Sequence, residues 1–177
     1  MDFFEVIIRN KRFKKFKADQ SLYADQVKQL MACAQLAPSL SEIQNFTYII
    51  IDDQALKQKI ADGVEELSWI VNAAAIFAVV VVSDEEDADD TNIIDAIIAS
   101  SQLMMAATTL NLGCSLVVDF DQDFIHSLVG ITDEWNNLNV IALIPIGATL
   151  DKGLQGYKRT LAELSNHNKL GQPYPYE

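Results

Sequence analysis

The chain is short of the residues that most often announce a chemistry. Its two cysteines, Cys33 and Cys114, and two histidines, His126 and His167, stand too far apart for a metal-ligand cluster to be assembled from spacing. Each cysteine lies among apolar neighbours, so both read as reduced core residues of a cytoplasmic protein. Ser39, Ser41, His126 and His167 suggest no nucleophile–base triad, and His126 reads as a surface or boundary residue of a helix. The longest apolar run, residues 73–82, is about half of what a bilayer crossing needs, so it reads as a buried strand and no membrane partner is expected. Positive charge is scarce too: 13 Lys and Arg stand against 25 Asp and Glu, a formal net charge of −12. Duplex binding needs a broad basic face, which argues against nucleic acid as a partner. Asp2 and Glu5 are acidic where the n-region of a signal peptide should be basic, so none is expected. There is no internal repeat, no linker and no low-complexity segment beyond one acidic loop.

What the chain does have is apolar mass and one concentration of cations. At 177 residues and 50% apolar it is long enough for one sizeable core and short enough to be a single domain, residues 1–177. Six of its 13 cations fall in residues 9–17, Arg9-Asn10-Lys11-Arg12-Phe13-Lys14-Lys15-Phe16-Lys17. Gathering like charges costs repulsion that a bound anion offsets. The segment reads either as a docking point for a phosphate-bearing small molecule or as a solvated basic face, with Phe13 and Phe16 favouring an anchored segment. The mirror image is the acidic stretch 84–90, six carboxylates in seven residues. Without a turn glycine or EF-hand spacing to organise the acids around an ion, it reads as a solvated connection rather than a metal or cationic-partner loop.

Periodicity orders the rest. Residues 2–8 pair Phe3 with Ile7 and Phe4 with Ile8 as a short helix. A second helix starts within residues 21–25, runs through Leu36 and is stopped by Pro38. Strands are expected at residues 46–51, 76–82, 114–118 and 140–146. Helices are expected at 52–63, 65–72, 121–129 and near 160–166. A long helix capped by Thr91 or Asn92 runs to about Asn111, with Gly113 ending it. Its apolar positions go most of the way round, marking it as the central buried helix, with Met104 and Met105 as core or interface packing. The pattern is that of an α+β or α/β single sheet.

Four motifs in this order resemble the nitroreductase-like FMN-dependent flavoproteins. The first is Lys11-Arg12-Phe13-Lys14-Lys15-Phe16, where that family has an Arg-Arg-Ser-x-Arg-x-Phe type segment. Ala37-Pro38-Ser39 followed by Glu42-Ile43-Gln44-Asn45-Phe46 is similar to Ala-Pro-Ser and Asn-x-Gln-Pro-Trp. Ala106-Ala107-Thr108-Thr109-Leu110-Asn111-Leu112-Gly113 resembles the close of an alanine-rich central helix. Residues 141–147 and Lys158-Arg159-Thr160-Leu161-Ala162-Glu163 resemble the last strand and the basic pair after it. The departures are Asn10 for Arg, Arg12 for Ser, Glu42 for Asn, Asn45 for Pro, Phe46 for Trp and Asp119 for a small residue or Gly.

The resemblance implies a three-layer α-β-α fold of class α+β, with a central, mostly antiparallel sheet, flanking helices and a long buried central helix. It implies a homodimer, with the tail from about residue 150 to 177 packing on the partner subunit. The implied activity is an FMN-dependent NAD(P)H oxidoreductase that passes electrons to a nitroaromatic, quinone or similar small acceptor, with no metal. No catalytic side chain is implied, because the flavin carries the chemistry. The implied cofactor contacts are Lys11, Arg12 and Lys14 for the phosphate, with Arg9 beside them and Lys158 and Arg159 converging from the far end. Pro38, Ser39 and Leu40 approach the ring from the partner subunit, and Val117 and Val118 approach it through their backbone. Lys158 and Arg159 read equally as surface charge from the residues alone. A carboxylate at Glu42 is expected to weaken flavin binding. The alternative is a family member that has lost redox activity and acts as a flavin- or anion-binding or interaction protein; a polyanion-binding adaptor is disfavoured by the net charge.

Overall fold

In the computed structural model, which describes residues 1–83 and 91–176, β1 (Phe46–Ile51), β2 (Ala75–Val82), β4 (Leu138–Gly147) and β3 (Gly113–Cys114) form one antiparallel sheet in that spatial order. The uniformly apolar β2 explains the layering, because successive side chains of a strand point to opposite faces. Phe77, Val79 and Val81 enter one core with Leu30 and Ala34 of α2 (Ala24–Gln35) and Ala99, Leu103 and Ala107 of α4 (Thr91–Thr109). Ile76, Ala78 and Val80 enter a second core. That core holds Ile60 of α3 (Gln54–Gly63), Leu67 and Ile70 of a 3-10 helix (Glu65–Asn72), and Ile125 of α5 (Gln122–Val129). Two cores on the two faces of one sheet make the expected α-β-α arrangement. The acidic stretch 84–90 lies outside the described residues.

Helix starts follow local chemistry. Asp2 caps α1 (Phe3–Arg9), Asp53 caps α3 and Asp121 caps α5, each accepting from the backbone N–H three residues on. Thr160 and Glu163 cap α6 (Leu161–Leu164) reciprocally. The segment 65–72 is a 3-10 rather than an α-helix. The end of α4 corrects the sequence reading. Asn111, not Gly113, takes the left-handed position, with φ 57°. Leu112 N–H then bonds Ala107 O at 2.9 Å and Asn111 N–H bonds Thr108 O at 3.0 Å, a Schellman closure. Gly113 is already strand, and its glycine has a different cause: a Cβ there would stand 2.1 Å from Thr149 Cγ2 and 2.7 Å from Phe13 Cγ.

β3 is also shorter than the expected 114–118. Past Cys114 the ladder thins to Ser115 N–H on Pro145 O at 3.3 Å and one further bridge, Val117 N–H to Leu143 O at 2.9 Å and the reverse at 2.8 Å. α4 buries Asp95, Ala96, Ala99, Ser100 and Leu103, yet Ile93, Ile94 and Ile97 stay exposed on the single chain. Cys33 and Cys114 are free thiols; burial pushes Cys114 up to about 12, so it stays a protonated core residue. His126 is half-buried, and its Nε2 accepts from Val140 N–H at 3.1 Å. Among the described residues, no helix is long and apolar enough to cross a membrane.

Candidate functional site

The basic segment is not a solvated tail. After α1 it runs extended between β3 and the chain that leaves β4. Phe13 N–H donates to Cys114 O at 3.0 Å, and Arg12 and Leu154 exchange N–H···O bonds at 3.3 and 2.7 Å. Leu150 N–H reaches Lys15 O at 2.9 Å, Lys17 N–H reaches Ala148 O at 2.8 Å, and Ser115 Oγ donates to Phe13 O at 2.6 Å. Phe16 is only 2% exposed and stacks on Trp69, with ring centroids 6.0 Å apart. Phe13 lies against Gly113 and Gly153; the latter has φ +71°, and a Cβ there would meet the Phe13 ring at 2.8 Å. The two phenylalanines therefore hold the segment down while the cations between them remain at the surface.

Three cavities open along it. One of about 500 Å³ is lined by Asn10, Lys11, Arg12, Leu154, Gly156 and Lys158, with Ile7, Ile8 and Gln155. A second, about 280 Å³, is lined by Arg12, Lys14, Glu66, Trp69 and residues 115–119. Arg12 lines both, so the two adjoin at this residue. The third, about 320 Å³, holds Arg9, Lys11, Asn111 and Lys152. Among the described residues the one ion pair is Arg9 to Glu5, 3.3 Å. Among the described residues Lys11, Arg12, Lys14 and Lys158 thus have no carboxylate within 4 Å, in a chain of net charge −12.

The structure brings some of the expected contacts together and separates others. Lys11, Arg12 and Lys158 meet in the largest of these cavities, and Arg12, Lys14, Val117 and Val118 meet in its neighbour. Arg9 turns away: its guanidinium is held by Glu5 and by Asn111 Oδ1 at 2.9 Å, beside the third cavity. Arg159 is exposed and lines none of the three. Pro38, Ser39 and Leu40 follow α2 as an exposed loop that lines none of them either, and neither does Glu42. Asn10 closes α1 with its backbone N–H on Val6 O, and Asp119 lines the cavity with Lys14.

Sequence reasoning passed over two residues, one that holds the 38–41 loop and one that meets Lys14. Asp95, 1% exposed on α4, accepts from Leu40 N–H at 2.7 Å and Ser41 N–H at 3.1 Å, one per carboxylate oxygen. Burial by itself pushes this carboxyl up, but the two N–H groups and the Ser41 hydroxyl outweigh it and hold Asp95 below its ordinary value. The signal was available: Asp95 falls on the stripe of Ala99 and Leu103, which is the buried face of an apolar helix. The second is Trp69, half-buried on the 3-10 helix, with Lys14 Nζ 5.6 Å from its ring centroid. No local pattern signals that pairing.

The comparisons with known proteins bear on the family and the fold. The model of the nitroreductase family matches residues 11–81 and 64–148. No curated protein matches the chain. A nitroreductase family protein from Clostridium novyi NT is 25% identical, with a TM-score of 0.77 over 98% of this chain and 97% of that one. An FMN-dependent nitroreductase from Clostridium difficile R20291 is 18% identical, with a TM-score of 0.80 over 95% of this chain and 100% of its own. NfrA1 nitroreductase from Bacillus subtilis shares 16% identity and a TM-score of 0.83, over 95% of this chain and 74% of that one. At their identities the last two speak to the fold alone. With the family model running from residue 11 to residue 148 of 177, the chain belongs to the nitroreductase family of oxidoreductases.

Proposed function

We propose that the chain is an FMN-dependent NAD(P)H oxidoreductase that reduces a nitroaromatic, quinone or similar small acceptor. The observation that carries this reading is the set of four cations that have no carboxylate partner among the described residues and line two adjoining cavities in a strongly acidic chain. Such a site suits a ligand with a phosphate at one end and a polar ring at the other. Lys11, Arg12 and Lys158 would hold the phosphate, Arg bidentately and Lys as point charges. Lys14 and the backbone of residues 115–119 would border the ring. When bound, FMN supplies the two-electron exchange between reduced nicotinamide and the acceptor. The protein's own work is to bind, to orient and to set the local charge. Among the described residues no acid–base pair faces these cavities apart from Glu66 and Asp119 beside Arg12 and Lys14.

The same reading makes the protein a cytoplasmic homodimer of single-domain subunits. Supporting it, Phe3, Phe4 and Ile8 of α1, Leu36, Leu40 and Ile43 around the 38–41 loop, and Tyr157, Leu161, Leu164 and Leu170 of the tail are all more than half exposed on the single chain. Apolar exposure on that scale is what a large permanent interface covers. In the dimer, Pro38, Ser39 and Leu40 would reach the ring of the partner's flavin, and the tail would pack on the partner. The test is purification followed by sedimentation. A yellow dimer whose flavin survives desalting and is bleached by NADH or NADPH is expected. A colourless protein that FMN does not restore would favour the redox-inactive alternative, and a monomer at low micromolar concentration would remove the two-subunit site.

A further inference from the structure

We propose that Trp69 is a positioning residue for Lys14: its indole keeps the ammonium unpaired at the cavity mouth, and so strengthens binding of the reduced over the oxidised flavin. The inference rests on the FMN reading above and goes beyond it in assigning a tuning role to a residue of the 3-10 helix.

The geometry runs from the backbone outward. Lys14 and Phe16 are two apart on an extended segment, so their side chains leave it on the same side. Both meet the same indole. The Phe16 ring stacks on it with an interplanar angle of 26°, and Lys14 Nζ stands 5.6 Å from its centroid, within cation–π range. The indole is itself fixed: its N–H donates to Glu66 O at 3.0 Å, and the Phe16 ring behind it is buried. A lysine is a flexible stem, and this one has two carboxylates, Glu66 and Asp119, around the same cavity. Yet among the described residues it pairs with neither within 4 Å. The aromatic face offers the ammonium a resting place that costs none of its charge, whereas a carboxylate would cancel its field toward a ligand. Negative charge that develops on the ring during reduction would therefore meet a full positive charge. Removing the indole frees Lys14 to pair with Glu66 or Asp119.

The test is a double-mutant cycle read by potential and by NMR. With FMN bound, Trp69→Leu should lower the ratio of reduced to oxidised FMN affinity about tenfold, which for a two-electron couple is about 30 mV in midpoint potential. Trp69→Phe, which keeps a weaker aromatic face and the volume most needed for folding, should shift it in the same direction by less. In a Lys14→Gln background, Trp69→Leu should have no further effect. Equal shifts with and without Lys14, or no shift in either Trp69 variant, would overturn the proposal. In the flavin-free protein, the Lys14 ε-methylene resonance should be moved upfield by the indole, return in part in Trp69→Phe and return fully in Trp69→Leu. If the wild type takes up no FMN, the functional reading fails by itself. An unshifted Lys14 resonance would then sink the Trp69 assignment separately.

Discussion

The basic segment at residues 12–17 and the loop at residues 38–41 are both short, polar and largely exposed, yet they are held by opposite means. The segment is tied down by backbone hydrogen bonds to strands on both sides and by Phe13 and Phe16. None of that anchoring uses Arg12 or Lys14 side chains. Apart from the Ser39 Oγ–Ser41 O bond within it, the loop is held among the described residues by one side chain, Asp95, whose two oxygens take the N–H groups of Leu40 and Ser41. In the first region the functional groups can be changed without touching the scaffold. In the second, the scaffold is a single residue on a different element.

That contrast can be broken from either end, and the largest effect is expected at the cations. Replacing Lys11 and Arg12 together with Ala should leave the thermal unfolding profile unchanged while weakening FMN binding by roughly two to four orders of magnitude, at about 1.5–3 kcal/mol per charge-assisted contact. Full flavin occupancy in that variant would put the phosphate elsewhere. Phe16→Ala attacks the same segment through its anchor. It should cost about 3–5 kcal/mol in urea unfolding, as large-to-small changes at buried aromatics do. A cost below about 1 kcal/mol would mean that the backbone bonds alone hold the segment.

Asp95→Asn should cost about 1–3 kcal/mol, because an amide keeps one acceptor for two part-buried N–H donors. The sign of its pH dependence follows from the depressed carboxyl. A group whose folded value lies below its ordinary one, about 3.9 for Asp, stabilises fully above that value and loses its contribution as pH falls through the folded value. The stability gap between wild type and Asp95→Asn should therefore be widest near neutrality and narrow as pH falls below the ordinary Asp value of about 3.9. A gap that does not narrow would mean that packing, not the charge, is what Asp95 contributes. The smallest effect is expected at Glu42. It is exposed, so its field is screened well below the 2–3 kcal/mol that a charge ~6 Å away exerts at an effective dielectric of ~20. Glu42→Asn should raise FMN retention and the midpoint potential slightly; an unchanged potential would mean that Glu42 points away from the ring.

Much of the architecture was legible because it is written in local patterns. The unbroken apolar run of β2 required cover on both faces, and both faces are covered. Asp2, Asp121 and Thr160 sit where helix-start chemistry puts them. The end of α4 was misread because Asn and Gly both tolerate a left-handed turn. Which of Asn111 and Gly113 takes it depends on Phe13 and Thr149, which press on Gly113 from distant parts of the chain.

By itself, then, the sequence determined the layers, most of the helices, the anchored basic segment and the family. Each of these follows from periodicity, capping or ordered motifs within a few residues of one another. Only the tertiary structure decided which cations share a space. Arg9 and Arg12 are three residues apart, yet one is drawn to Glu5 and Asn111 while the other bridges two cavities, because Arg12 pairs through its backbone with Leu154 and Arg9 still belongs to α1. The Asp95 clamp and the Lys14–Trp69 contact are likewise products of long-range packing. Side-chain direction at these positions is set by neighbours far along the chain, and no local pattern encodes them.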